Sequence, residues 1–149
     1  MFTEPALPAT TVLIIDSNDI DRRYYAHRLR IYSPEYLVVE AKDGKTGLGL
    51  YRSRAIDCVL LELDLPDRSG FEVLVDLVPL VKRPEIAVIV LTSLTQPGLH
   101  ELARKNGAWA CLVKTHTAEE VLDQHIRKAI AFIGRTSKER RSSPSTGLV

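Results

Sequence analysis

Residues 58–66 read CVLLELDLP, and the fold turns on what this run is. Four apolar residues without alternation, Cys58 to Leu61, suit a strand covered on both faces. The run then breaks onto Glu62, with Asp64 two residues later and Leu65-Pro66 after it. A buried strand that ends in two carboxylates marks a place where charge is handled. On a strand that continued, Glu62 and Asp64 would face the same way, because side chains alternate with period two.

The pattern recurs on both sides of this stretch. VLII (12–15) runs into Asp16, and YLVVEA (36–41) into a turn at Asp43-Gly44. IAVIVL (86–91) runs into Thr92, and residues 110–113 run into Lys114. Helical patterns lie between them. Ser17-Asn18-Asp19 are N-cap types, after which Ile20, Tyr24, Tyr25, Leu29 and Tyr32 fall at helical spacing until Pro34. KTGLGLYRSR (45–54) is a weak helix, since Gly47 and Gly49 each cost about 1 kcal/mol against alanine. Phe71 to about Val78 is a helix cut short by Pro79. Pro97–Asn106 is a short one, with proline in its first turn and Gly107 just past its end. The last begins at Thr117 with a capping-box pattern completed by Glu120, and its stripe is Leu122, Ile126, Ala129, Ile130 and Ile133. Five strands alternating with five helices predict an α/β fold: a doubly wound, five-stranded parallel sheet with helices on both faces.

Composition sets the outer bounds. At 149 residues and 45% hydrophobic, one domain with a proper core is expected. Its span is 11–134, after an N-terminal extension (1–10) and before a basic, serine-rich tail or linker (135–149) expected to be disordered. A formal net charge of +1 argues against a surface built mainly for nucleic acid. No apolar stretch approaches the roughly 18 to 20 residues of a membrane span. The N-terminus MFTEPALPATT has no basic n-region and is not a secretory signal, so a cytoplasmic domain is expected. Cys58 and Cys111 sit in apolar runs as small core residues. His27, His100, His116 and His125 show no ligand spacing.

Parallel α/β sheets bind ligands outside the carboxyl ends of their strands. The informative residues are therefore Asp16 with Ser17, Glu62 with Asp64, Thr92 with Ser93, and Lys114 with Thr115. Carboxylates that hold a hard cation, with a hydroxyl and an ammonium that grip phosphoryl oxygens, suit a phosphoryl group and a divalent metal. No glycine-rich phosphate loop follows the first strand, which argues against a nucleotide site.

In this order the residues resemble the receiver domain of two-component response regulators, from about Thr11 to Ile133. VLIID, VVEAKDGKTGL, DCVLLELDLPDRSGFEVL, VIVLTS and NGAWACLVK carry the resemblance. It implies the flavodoxin-like strand order 2-1-3-4-5, in which Cys58 and Cys111 lie two interstrand steps of about 4.8 Å apart, too far for a disulfide. It implies a signalling module of a phosphorelay rather than an enzyme. Thr92 is then the switch hydroxyl and Lys114 the phosphate-contacting lysine. Counting back from Pro66, Glu62 stands where the family has its phosphorylatable aspartate. Ser17 stands where a second metal-ligating acid is usual, Cys111 where a switch aromatic is usual, and Thr115 where a proline is usual. Glutamate places its carboxylate one methylene further out, and near-attack geometry is worth orders of magnitude in rate. The expectation is a degenerate phosphorylation site in a module that needs no cofactor and binds magnesium weakly, through Asp16, Glu62 and Asp64.

Several alternatives stay open. Glu62 either imitates a phosphoryl group, with one negative charge against about two, or simply neutralises Lys114. Asp64, or Glu62 itself, is the acceptor in a rival reading with magnesium bound. The resemblance also implies a protein partner, whether histidine kinase, output domain or second copy, on the surface of the fourth helix, fifth strand and fifth helix, where Trp109 lies.

Overall fold

The computed structural model describes residues 9–142. In chain order the elements are β1 (Thr10–Ile15), α1 (Asp19–Tyr32), β2 (Tyr36–Ala41), α2 (Gly44–Ser53) and β3 (Cys58–Leu61). There follow α3 (Gly70–Leu77), β4 (Ala87–Thr92), α4 (Leu99–Lys105), β5 (Ala110–Val113), a 3-10 turn (Lys114–His116) and α5 (Glu119–Ser142). All neighbouring strands are parallel, in the order β2-β1-β3-β4-β5. This is the expected doubly wound sheet.

Apolar runs without alternation become central strands because both faces are covered. Leu13, Ile15, Val59, Leu61, Val88 and Val90 pack on one side against Leu48, Val73, Leu74, Leu77 and Ala103 of α2, α3 and α4. Their alternates Val12, Ile14, Cys58, Leu60, Ile89 and Leu91 pack on the other against Tyr25, Ala26 and Leu29 of α1 and Leu122, Ile126 and Ala129 of α5. Cys58 and Cys111 are free, buried, and on opposite faces of the sheet.

Three expectations need correction. The strand that leads into Glu62 stops at Leu61, so period-two alternation does not carry on to Asp64. From there the chain turns back sharply: Gly70 N–H donates to Leu63 O at 2.9 Å. A Cβ on Gly70 would lie 2.4 Å from Leu63 Cα, so this close approach requires glycine. The fourth helix begins at Leu99 rather than Pro97, because Gly98 is left-handed (φ 82°) and cannot belong to it. The last helix runs through Gly134 to Ser142. RTSKERRS is rich in helix-compatible Arg, Lys and Glu and holds no proline before Pro144, so one glycine is tolerated. Residues 1–8 and 143–149, parts of the expected extension and tail, lie outside the described residues. Among the described residues no helix is long and apolar enough to cross a membrane.

Candidate functional site

The strand ends of β1, β3, β4 and β5 bring Asp16, Glu62, Thr92 and Lys114 together. Asp16 follows β1 and keeps its backbone in the ladder, donating to Ala41 O at 3.0 Å. Glu62 follows β3 and donates its N–H to Ile15 O at 2.9 Å, which fixes where its side chain leaves the sheet. Thr92 closes β4 and is fully buried. Lys114 follows β5, with its carbonyl held by the Tyr25 hydroxyl at 3.1 Å.

Glu62 is the centre of the cluster and is 4% exposed. Its Oε2 accepts from the Thr92 hydroxyl, from Leu63 N–H at 2.6 Å and from Asp64 N–H at 3.2 Å. Its Oε1 accepts from Ser93 N–H at 3.1 Å and Ser93 Oγ at 3.2 Å, and faces Lys114 Nζ at 3.1 Å. A carboxylate has about four lone-pair positions, and here all are engaged. Burial alone would push its carboxyl up. The bonds from Thr92, Ser93 and Asp64 and the charge of Lys114 outweigh that and hold it below the usual range. Glu62 is therefore a charged, saturated carboxylate.

Lys114 Nζ lies 2.7 Å from Asp16 Oδ2 and 2.9 Å from Asp21 Oδ2 as well. Burial opposes its charge, but the hydrogen bonds to Asp16 and Asp21 and the charges of Asp16 and Glu62 raise its pKa well above the usual lysine value. Asp16 goes the other way: burial raises its carboxyl despite Lys114 and the Asn18 amide, which reaches Asp16 Oδ1 at 2.9 Å. Sequence reasoning missed Asp21. Its signal was the acidic first turn of α1, where Asn18 Oδ1 caps Asp21 N–H at 3.0 Å and sets that turn against the strand ends.

Other singled-out residues lie outside this cluster. Asp64 is exposed, and among the described residues no hydrogen bond or ion pair involves its carboxylate. Ser17 and Thr115 are exposed too. Cys111 is buried, and burial followed by the Glu62 charge pushes its thiol up, so it is an inert packing group. Trp109 is partly buried, its ring 5.2 Å from that of Phe132 on α5. Thr117, the expected cap of the last helix, instead donates its hydroxyl to Val113 O at 2.8 Å, and α5 begins two residues later at Glu119.

The sequence profile of the response regulator receiver domain matches residues 12–127. The chain belongs to this family. It is 32% identical over 112 residues to the transcriptional regulatory protein PdtaR of Mycobacterium tuberculosis, covering 74% of this chain and 52% of PdtaR. It is 28% identical over 104 residues to the polar-differentiation response regulator DivK of Brucella anthropi, covering 70% and 83%. The chain thus spans about half the length of PdtaR. Among solved structures, a CheY-like receiver from Methanospirillum hungatei superposes with a TM-score of 0.75 at 20% identity, covering 86% of this chain and 98% of that one. A receiver from Clostridium thermocellum does so with 0.71 at 27%, covering 82% and 94%. Receiver domains are signalling modules of two-component systems that work through protein contacts.

The magnesium ion that the family implies does not fit these residues. Asp16 Oδ2 and Glu62 Oε1 both face an ammonium, and Asp16 Oδ1 and Glu62 Oε2 accept backbone amides. Asp64 has turned out to solvent, so the expected trio of Asp16, Glu62 and Asp64 does not converge. Among the described residues no group of three His, Cys, Asp or Glu is placed to hold a metal ion.

Proposed function

We propose that this receiver works as a phosphorylation-independent interaction module, its pocket occupied by its own glutamate. The carrying observation is the saturation of Glu62. A nucleophile must offer a lone pair in line with the phosphorus, and every lone pair of this carboxylate already accepts a hydrogen bond or faces Lys114. Thr92 and Lys114 are the groups that would grip phosphoryl oxygens in a receiver, and here they grip Glu62, as does the Ser93 amide. Cys111 supports the same reading, because a small buried thiol cannot act as a moving ring. The module then holds one arrangement of its strand ends, and partners read that arrangement. The surface of α4, β5 and α5 is the proposed contact, with Leu102 48% exposed on α4 and the Trp109–Phe132 ring pair joining the start of β5 to α5.

Intact mass after incubation with a small acyl-phosphate donor, with and without magnesium, tests this reading. The expected result is no gain of a phosphoryl group by the wild type. A magnesium-dependent gain that vanishes in Asp64→Asn or Glu62→Gln would overturn it and name the acceptor.

A further inference from the structure

We propose that Lys114 is the built-in cation of this pocket, and that Asp21 completes its coordination in place of the acid missing at position 17. The inference rests on the self-occupied pocket and goes beyond it, because it says what has taken the metal's role and which new residue made that workable. An ammonium has three protons. Three carboxylates surround it here, at 2.7 Å on Asp16, 2.9 Å on Asp21 and 3.1 Å on Glu62, and the contact to Asp21 has hydrogen-bond geometry. The Lys114, Asp16 and Glu62 side chains are 7%, 5% and 4% exposed, so water is kept from the ammonium and from two of its partners, while Asp21 is 37% exposed and closes the hub from the solvent side.

Asp21 is a positioning residue supplied by a helix rather than a strand end. Asn18 accepts from Asp21 N–H while its own N–H donates to Asp16 Oδ1. One asparagine thus ties the turn after β1 to the start of α1 and aims both acids at Nζ. Arg22 adds a further tie across this turn, donating to Asp16 O at 2.9 Å and to Asp19 Oδ1 at 2.7 Å. Ser17 takes no part and faces solvent. A divalent cation requires several hard oxygens at short range, and the oxygens that would serve are already turned onto the ammonium. Like-charge repulsion from Lys114 opposes its entry as well.

The experiment is thermal unfolding of the full chain with and without millimolar magnesium chloride, as wild type, Lys114→Met, Asp21→Asn and the double variant. Magnesium is expected to leave the wild-type Tm unmoved. It should raise the Tm of Lys114→Met by several degrees, because Asp16, Asp21 and Glu62 are then left without a counter-charge. If Lys114→Met does not fold alone, circular dichroism should show it folding on addition of magnesium. Asp21→Asn should lower the Tm on its own and have little effect in the Lys114→Met background without magnesium, the non-additivity of residues that share a contact. A magnesium response in the wild type as large as in Lys114→Met, no rescue of that variant, or simple additivity would each overturn the proposal. Phosphoryl uptake by the wild type sinks the self-occupied reading, whereas a wild-type magnesium response without uptake sinks this inference alone.

Discussion

Glu62 and Asp123 are buried to nearly the same degree, 4% and 5% exposed, yet they sit in different kinds of surroundings. Asp123, on α5, accepts from the Ser33 hydroxyl at 2.8 Å and from Arg127 Nε at 2.8 Å. Arg127 is one helical turn further along the same helix, its side chain is 52% exposed, and it also reaches Glu35. This cluster ties α5 to the connection between α1 and β2, and its cation already touches water. At the strand ends the cation comes from a different element than the acids, lies inside, and serves three of them. Equal burial therefore carries unequal consequences. If the flank pair breaks, its arginine is rehydrated; if the strand-end hub breaks, charges are stranded.

The largest expected effect follows from that contrast. Lys114→Met leaves Asp16 and Glu62 buried without their counter-ion and should lower unfolding stability by about 3–5 kcal/mol, the range for removing one partner of a buried pair. Arg127→Met removes a half-exposed partner but leaves Asp123 buried with the Ser33 hydroxyl, and should cost less, about 1–2 kcal/mol. Urea denaturation at neutral pH measures both. Equal losses would erase the distinction between the two clusters.

A smaller effect concerns the flank and its dependence on pH. Burial alone would raise the Asp123 carboxyl, but Arg127 and the Ser33 hydroxyl outweigh it and hold it below 3.8, its ordinary value. A depressed carboxyl contributes stability that is fully present above the unfolded value and is lost as pH falls through the folded one. Asp123→Asn should thus cost about 0.5–1.5 kcal/mol at neutral pH. Its gap to the wild type should close as pH drops below 3.8. Denaturant midpoints measured on both sides of that value check the sign, and a gap that widens in acid would contradict it.

Legibility in the sequence followed the range of the interactions involved. The layers and the assembly of Asp16, Glu62, Thr92 and Lys114 at one edge follow from local apolar runs and from where each run ends, while the strand order comes from the family resemblance. The partnership of Asp21 with Lys114 does not. The two are 93 residues apart, and the contact depends on how α1 is tilted by its Asn18 cap. Asp64 failed for a related reason. The alternation rule holds only while a strand lasts, and β3 ends one residue before Glu62 because the loop must fold back onto Gly70. At the chain's far end, the serine-rich composition suggested a tail, while the helix propensity of its first eight residues carried α5 on to Ser142.

The smallest effect is the sharpest test of which carboxylate matters. Asp64 and Glu62 are separated by one residue, and a strand would have made them equivalent. Here the backbone N–H of Asp64 donates to Glu62 Oε2 at 3.2 Å while its own carboxylate faces solvent. Asp64→Asn preserves that N–H and removes an exposed charge, so stability should change by no more than about 0.5 kcal/mol, as for surface substitutions away from special features. Glu62→Gln keeps nearly the same shape and removes a buried charge that Thr92, Ser93 and Lys114 all address, and should cost about 1.5–3 kcal/mol, the range for hydrogen bonds to charged groups. Side-by-side denaturation of the two variants decides the matter. A loss in Asp64→Asn comparable to that in Glu62→Gln would mean that Asp64 turns inward and shares the hub, and the pocket would then hold an acid that the present arrangement sends to water.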